Sequence, residues 1–286
     1  MITPQEEQPQ LAKALGLNVP LYFKREDLHP YGSHKGRSIP YMIEQYARGG
    51  HTKFAISSSG NAALAAGLYV QDYNTKFTES PLFLQIFVGE NINPAKLQIL
   101  SSFAKSSEDK IAILQNDKPK QSVHVLNKKG EAKALRQSND DLALAGYKSL
   151  VDELKEIENI SAVFVPTSSG TTAQALAEGG LPVYIVQPSS CHPISDLWEV
   201  KKIAEEPILA DAVVDIVALR KDKVHQLAKG GFVVSNTEIE NAIKLAKTHS
   251  GLEASPNAAL SLAGLSHALG SGWQPTGAVV CLITGR

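Results

Sequence analysis

Sulfur is scarce in this chain: two cysteines and two methionines among 286 residues. Cys191 and Cys281 are too few and too far apart to frame a disulfide scaffold, and no CxxC spacing occurs. Cys281 sits in an apolar run and reads as core packing. Cys191-His192 has no companion ligands at suitable spacing, so no metal site is expected. Apolar runs of about 18 residues are also missing, which argues against a membrane span. The first ten residues, MITPQEEQPQ, contain no apolar signal core, so a soluble, cytoplasmic protein is expected. Neither sign of charge dominates: 28 Lys plus Arg face 29 Asp plus Glu. The densest basic stretch, residues 109–129, is interrupted and carries no interleaved aromatics, so no nucleic-acid partner is expected. What remains is ordinary globular material, 43% hydrophobic and 20% charged. The length suits one large domain or two, and is enough for a proper core.

Short apolar runs alternate with helix-like patterns. Strands are expected at 19–27, 53–59, 81–89, 160–166, 181–188, 212–219 and 277–286, with shorter ones around KIAIL and SVHVL in 110–126. Helices are expected at 60–74, 142–158, 171–180, 236–251 and 255–272. The last of these opens on Ser-Pro, a good helix start. Residues 75–80 and 103–110 read as loops. The alternation predicts an α/β protein whose parallel sheets are covered by helices on both faces.

Three short stretches carry chemistry. In AISSSGNAALAAG (55–67), a strand ends in serines and a glycine just before a helix. A helix start offers unpaired N–H groups and partial positive charge, which suit a carboxylate; the alternative is simple N-capping by serine. VFVPTSSGTTAQALAEGG (163–180) has the same plan, and Ser168, Ser169, Gly170, Thr171 and Thr172 suit a phosphate. Neither loop is a GxGxxG or a P-loop, so dinucleotide and P-loop cofactors are disfavoured. The third stretch is KREDLHPYGSHKGR (24–37), where a Gly-Ser turn precedes Lys35. A lysine that attacks a carbonyl must be neutral, and burial favours that form. An amine, a carboxylate loop and a phosphate loop together suit a phosphorylated aldehyde cofactor and an amino acid substrate, which points to pyridoxal phosphate.

The chain resembles the fold-type II, tryptophan synthase β-like, pyridoxal-phosphate enzymes over nearly its whole length. KREDLHPYGSHKGR is similar to the family's K-x-E-…-P-T-G-S-F-K-D-R segment, which implies that Lys35 is the Schiff-base lysine and general base. SSSGNAALAA matches the S-S/T-S-G-N loop, which implies that Asn61 bonds the cofactor's ring hydroxyl and that Ser58, Ser59 and Gly60 receive the substrate carboxylate. VPTSSGTTAQAL falls at the phosphate loop, and VVCLITGR resembles the strand that brings a hydroxyl, here Thr284, to the pyridine nitrogen. A hydroxyl there leaves the ring a moderate electron sink, suited to elimination or replacement after loss of the α-proton. The resemblance implies two three-layer α/β domains with a cofactor cleft between them. The smaller is expected at 38–135 and the larger at 1–37 with 136–286. A homodimer is expected on the same ground.

The segment before the last strand is most similar to threonine synthases, so the expected activity is a carbon–oxygen lyase that converts O-phosphohomoserine to threonine in amino-acid biosynthesis. The rivals are a serine/threonine dehydratase and a non-catalytic protein that keeps the fold as a ligand-binding module. The departures from the family pattern bear on this choice. Gly36 stands where many relatives have Asp, the phosphate loop is SSGTT, and Ala143 falls where synthases carry an arginine. The AGQHG-type loop of the tryptophan synthase β-chain is missing. Pro40 is expected to interrupt a helix that begins at Lys35, with a restart near Ser38. His29 and His34 are read as hydrogen-bonded structure.

Overall fold

The structure, a computed structural model, describes residues 1–107, 109–199 and 201–285. Along the chain the elements run β1 (Gln5–Glu7), α1 (Pro9–Ala14), β2 (Leu21–Arg25), a 3-10 turn (Glu26–Leu28), α2 (Lys35–Arg48), β3 (Lys53–Ser57), α3 (Asn61–Lys76), β4 (Phe83–Gly89), α4 (Pro94–Ser106), β5 (Ile111–Asn116), α5 (Pro119–Lys129) and β6 (Lys133–Ala134). They continue as α6 (Leu142–Ala145), α7 (Lys148–Leu154), β7 (Ile160–Pro166), α8 (Thr171–Glu178), β8 (Val183–Pro188), α9 (Lys221–Leu227), β9 (Gly230–Val234), α10 (Asn236–Ser250), α11 (Pro256–Gly270) and β10 (Ala278–Ile283).

The chain divides into two compact units. One comprises Met1–His29 with Tyr147–Arg286, the other Pro30–Gly146. The first is built on a six-stranded sheet of order β1-β2-β10-β7-β8-β9. All its pairings are parallel except that of β1 on β2, an antiparallel edge strand the sequence reading left unassigned. Every residue of β10 is buried, so the central strand is covered on both faces. Helices α10 and α11 close one face over Phe23, Phe164 and Cys281. The second unit has a four-stranded parallel sheet, β5-β4-β3-β6. Its core joins Ile39, Met42 and Ile43 of α2 to Phe54 and Ile56 of β3 and the alanines of α3.

Several expectations need correction. Helix α2 is continuous through Pro40 rather than restarting near Ser38. A proline inside a helix costs about 3 kcal/mol, but burying an Ile or Met side chain gains about 1.5–3 kcal/mol. Ile39, Met42 and Ile43 are all fully buried, so packing outweighs the missing bond. SVHVL lies in α5, not in a strand; Pro119 at its start and left-handed Gly130 at its end (φ 70°) are the helix signals that decide it. Residues 103–106 belong to α4, which Asn93 caps by accepting from Ala95 N–H at 2.9 Å, and Glu108 of the expected loop lies outside the described residues.

The single helix expected at 142–158 is two, α6 and α7, broken at Gly146. A Cβ on Gly146 would come within 2.6 Å of the Ser38 backbone, so α2 packs there only because the side chain is absent. Residues 212–219 form no strand, and the edge of β8 is taken instead by β9, which the sequence reading did not assign. β9 begins with two glycines, which hid it; a Cβ on Gly231 would meet the Trp198 ring at 2.6 Å. Arg286 of the expected terminal strand lies outside the described residues. No described helix is long and apolar enough to cross a membrane.

The first charges of KRED are structural. Lys24 has no exposed surface, and its ammonium donates to Glu153 Oε2 at 2.5 Å and to the Thr3 carbonyl at 2.8 Å. Thr3 N–H donates to the same carboxylate at 3.2 Å, and the Thr3 hydroxyl donates to Glu26 at 2.5 Å. Burying two ions costs several kcal/mol each, and complete hydrogen bonding is what offsets it. Lys24→Met should therefore cost about 3–5 kcal/mol in urea unfolding by stranding Glu153, and Lys24→Met with Glu153→Leu should recover most of that loss. An unchanged midpoint in the single variant would refute the buried pair.

A second ion pair joins α10 to α11. Ser235 and Glu238 form a capping box at the start of α10, and Glu238 also lies 2.6 Å from His267 Nδ1. Burial works to raise the Glu238 carboxyl, but bonds from His267 and Ser235 outweigh it and hold the group at about 2. His267 is pushed up, first by its bond to Glu238. The depressed acid contributes fully above its ordinary 4.5 and loses its contribution as pH falls towards 2. The raised base contributes fully below its ordinary 6.5 and loses its contribution as pH rises through its folded value. His267→Gln should therefore lower Tm most between pH 4.5 and 6.5 and progressively less at alkaline pH. A Tm difference that does not vary with pH would contradict the pairing.

Candidate active site

In the second unit, the turn before Lys35 is shaped by Gly32 (φ 81°). A Cβ there would lie 2.6 Å from Leu64 of α3, so the turn and that helix are in close contact. Ser33 is buried and its Oγ accepts from Lys35 N–H at 3.2 Å, which fixes Lys35 as the first residue of α2. Lys35 itself is half-buried. His34 is buried, and His29 is buried in the first unit. Strand β3, in the interior of its sheet, ends at Ser57, and Asn61 is the first residue of α3. Between them the Ser58 hydroxyl accepts from Gly60 N–H at 3.2 Å. Ser59 is exposed, and nothing lies within 4 Å of where a Cβ on Gly60 would sit, so this face of the loop is open. Helices α2 and α3 pack on each other, which places Lys35, Ser58, Ser59, Gly60 and Asn61 on one unit at the starts of two packed helices. A separate cavity of about 280 Å³ in this unit is lined by Tyr46, Lys133, Arg136 and Asp140 and includes none of these residues.

In the first unit, β7 delivers Thr167 and then Ser168–Thr172 to the start of α8. Gly170 takes φ 90°, which a side chain rarely adopts, and a Cβ there would also press on Val224 at 3.0 Å. Ser169 and Thr171 hydroxyls lie 3.0 Å apart. Thr171 and Thr172 are buried. Cys281 of β10 pairs with Phe164 of β7, so Thr284 and Thr167, each three residues further on, leave the sheet at the same edge. Thr284 is buried, and the following Gly285 carbonyl accepts from the Ser255 hydroxyl at 3.1 Å. Ser255 is also the cap of α11, so that helix anchors the strand end.

Where serine caps a helix here, it does so plainly: Ser235 caps α10 and Ser255 caps α11. The two serine-rich loops do not. Both α3 and α8 begin behind a glycine, with no side-chain cap. Simple capping therefore does not account for those serines. The donor set around α8, with hydroxyls, a left-handed glycine and an uncapped helix start, fits a phosphate. Ser168 is the exception, since its hydroxyl donates to Asp215 Oδ2 at 2.9 Å.

Three contributors escaped sequence reading. Gln187 has no exposed surface; its amide donates to the Thr167 carbonyl at 3.0 Å, and its oxygen accepts from Ile194 and Ser195 N–H at 2.9 and 2.8 Å. Arg220 is buried beside Gly170 and donates to Gln174 of α8 at 3.1 Å. Asp215 is the third. No local spacing links any of them to the loop; all arrive through tertiary packing.

These features define a two-unit α/β protein with two serine-rich loops at helix starts that carry no side-chain cap and a lysine at the start of a third helix. The family model for pyridoxal-phosphate dependent enzymes matches residues 2–285, and the chain belongs to that family. Its cofactor is pyridoxal phosphate, and its fold is the tryptophan synthase β-like fold. Maize serine racemase is similar in structure at a TM-score of 0.83 and 19% identity, over 99% of this chain and 87% of that one. Threonine deaminase isoform 2 from Solanum lycopersicum matches at 0.81 and 20% identity, over 99% and 83%. An L-serine ammonia-lyase from Rhizomucor miehei matches at 0.77 and 19% identity, over 100% and 93%. The resemblance to threonine synthase in particular is not reproduced among these neighbours. No curated protein matches the sequence.

Gln187→Leu should leave two N–H groups and a carbonyl buried without partners, at about 1–3 kcal/mol each. A fall of at least about 3 kcal/mol in unfolding free energy is expected, measured by urea denaturation. A variant as stable as the parent would show that Gln187 does not hold the loop.

Proposed function

We propose that this protein acts on a small hydroxy amino acid, serine or threonine, and eliminates its β-hydroxyl to give a 2-oxo acid and ammonia. The observation that carries the choice is Ala143. It stands where the resemblance to threonine synthase would require an arginine for the substrate's phosphate, and it has no exposed surface within the core of its unit. A buried methyl group cannot hold a phosphate, so O-phosphohomoserine is the weaker substrate. The serine racemase, threonine deaminase and L-serine ammonia-lyase named above support a substrate of the serine and threonine class.

In this reading Lys35 carries the cofactor and later takes the substrate's α-proton on its amine. Ser58, Ser59 and Gly60 hold the substrate carboxylate at the open start of α3. Asn61 holds the ring hydroxyl. Ser169, Gly170, Thr171 and Thr172, with Ser168 once its proton is available, hold the phosphate, and Thr284 faces the pyridine nitrogen. Bound pyridoxal phosphate supplies an aldehyde and an electron-accepting ring that acidifies the α-carbon. A homodimer in the cytoplasm completes the proposal.

Protein reconstituted with the cofactor should form 2-oxo acid and ammonia from L-serine or L-threonine. Lys35→Ala should lower that rate by about 1,000-fold or more and abolish the visible absorbance of lysine-bound cofactor. Phosphate release from O-phosphohomoserine without oxo acid from serine or threonine would restore the synthase reading. Cofactor on Lys35 with no turnover of any amino acid would leave a binding protein.

A further inference from the structure

Residues 214–217 make an unusual arc. It is anchored on either side by Val213 and Ala218, which are 4% and 5% exposed. Between the anchors, Val214, Ile216 and Val217 are 48%, 81% and 75% exposed. Asp215 is the one residue of the arc turned partly inward. Hydrophobicity alone would dictate the reverse, with an isoleucine inside and a carboxylate in water. A local arrangement that contradicts the general pattern marks a place where another demand prevails. Here the inward carboxylate receives the Ser168 hydroxyl proton at 2.9 Å. Its charge is also felt nearby: the Cys191 thiol is pushed up, first by burial and then by Asp215.

We propose that Asp215 determines how tightly this protein retains its phosphorylated cofactor, by occupying the Ser168 hydroxyl that the phosphate needs. This inference rests on the assignment of Ser168–Thr172 as the phosphate loop. A serine hydroxyl has one proton to donate. It cannot serve a carboxylate and a phosphate at once, and two anions sharing one donor repel each other. Loading therefore releases Asp215 from Ser168, and the arc, whose apolar side chains hold it only at its ends, swings outward with it. Asp215 acts through Ser168 and is a positioning residue for the cofactor.

The test compares cofactor binding by the full-length protein and its Asp215→Asn variant, by fluorescence titration of the apo forms. The variant should bind pyridoxal phosphate about ten-fold or more tightly, while binding of pyridoxal, which lacks the phosphate, should stay unchanged. Inorganic phosphate alone should raise the Tm of the variant more than that of the parent. Hydrogen exchange at 213–218 should quicken in the parent when the cofactor is added, and should be fast in apo Asp215→Asn. Equal affinities of parent and variant for pyridoxal phosphate, with both folded, would overturn the inference and leave the cofactor site standing. An equal gain for pyridoxal would overturn it too, since the effect would not act on the phosphate. Failure of both proteins to bind the cofactor at all would remove the phosphate-loop assignment, and this inference with it. Asp215→Ser, smaller and uncharged, should repeat the result if the asparagine variant does not fold.

Discussion

Strand β10 pairs in parallel with β2 on one side and with β7 on the other, Ile283 opposite Arg25 and Cys281 opposite Phe164. Everything at the site in the first unit depends on that double register. It brings the ends of three strands to one edge of the sheet, so that Thr284, the Ser168–Thr172 loop and the turn after Arg25 all depart from the same side. A slip of one residue would turn every side chain of β10 to the opposite face, where the helices on that side are packed against different side-chain shapes. The carboxyl edge of a parallel sheet is also where helices begin, with unpaired N–H groups and partial positive charge. Such an edge suits an anion for electrostatic reasons that need no charged side chain.

Two lysines in one short segment show how placement separates identical side chains. Lys24, inside β2, is enclosed with a carboxylate and a carbonyl and is held as a charged strut. Lys35 stands at a helix start behind a glycine turn, half-buried. The side chains are identical, and the surroundings make one a buried structural ion and place the other at a helix start behind a turn. The same division separates the serines: those that cap α10 and α11 spend their oxygens on backbone, whereas the serine-rich loops before α3 and α8 leave those helix starts to be satisfied otherwise.

The alternation of short apolar runs with amphipathic stretches, the Ser-Pro start of α11, and the two strand–loop–helix stretches were legible from residue spacing, as was the place of Lys35 behind its turn, whereas the capping box of α10 came only from the structure. Reading failed where a local signal met a tertiary one. Pro40 argued for a break that the packing of Ile39, Met42 and Ile43 overrides. The apolar stretch at 212–219 argued for a strand, but it pairs with no sheet edge and leaves Val214, Ile216 and Val217 exposed.

Neighbouring residues alone determined the α/β class, the candidate lysine and the hydroxyl-rich loops, because turns, caps and hydrophobic periods act over a few positions. Tertiary structure decided the partners: Gln187 under Thr167, Arg220 beside Gly170, Glu153 against Lys24, and Asp215 on Ser168. Each joins groups distant in sequence, and no short-range pattern carries such a pairing. Which polar atoms meet is set only when the strands have chosen their register and the chain between them has been laid over the sheet.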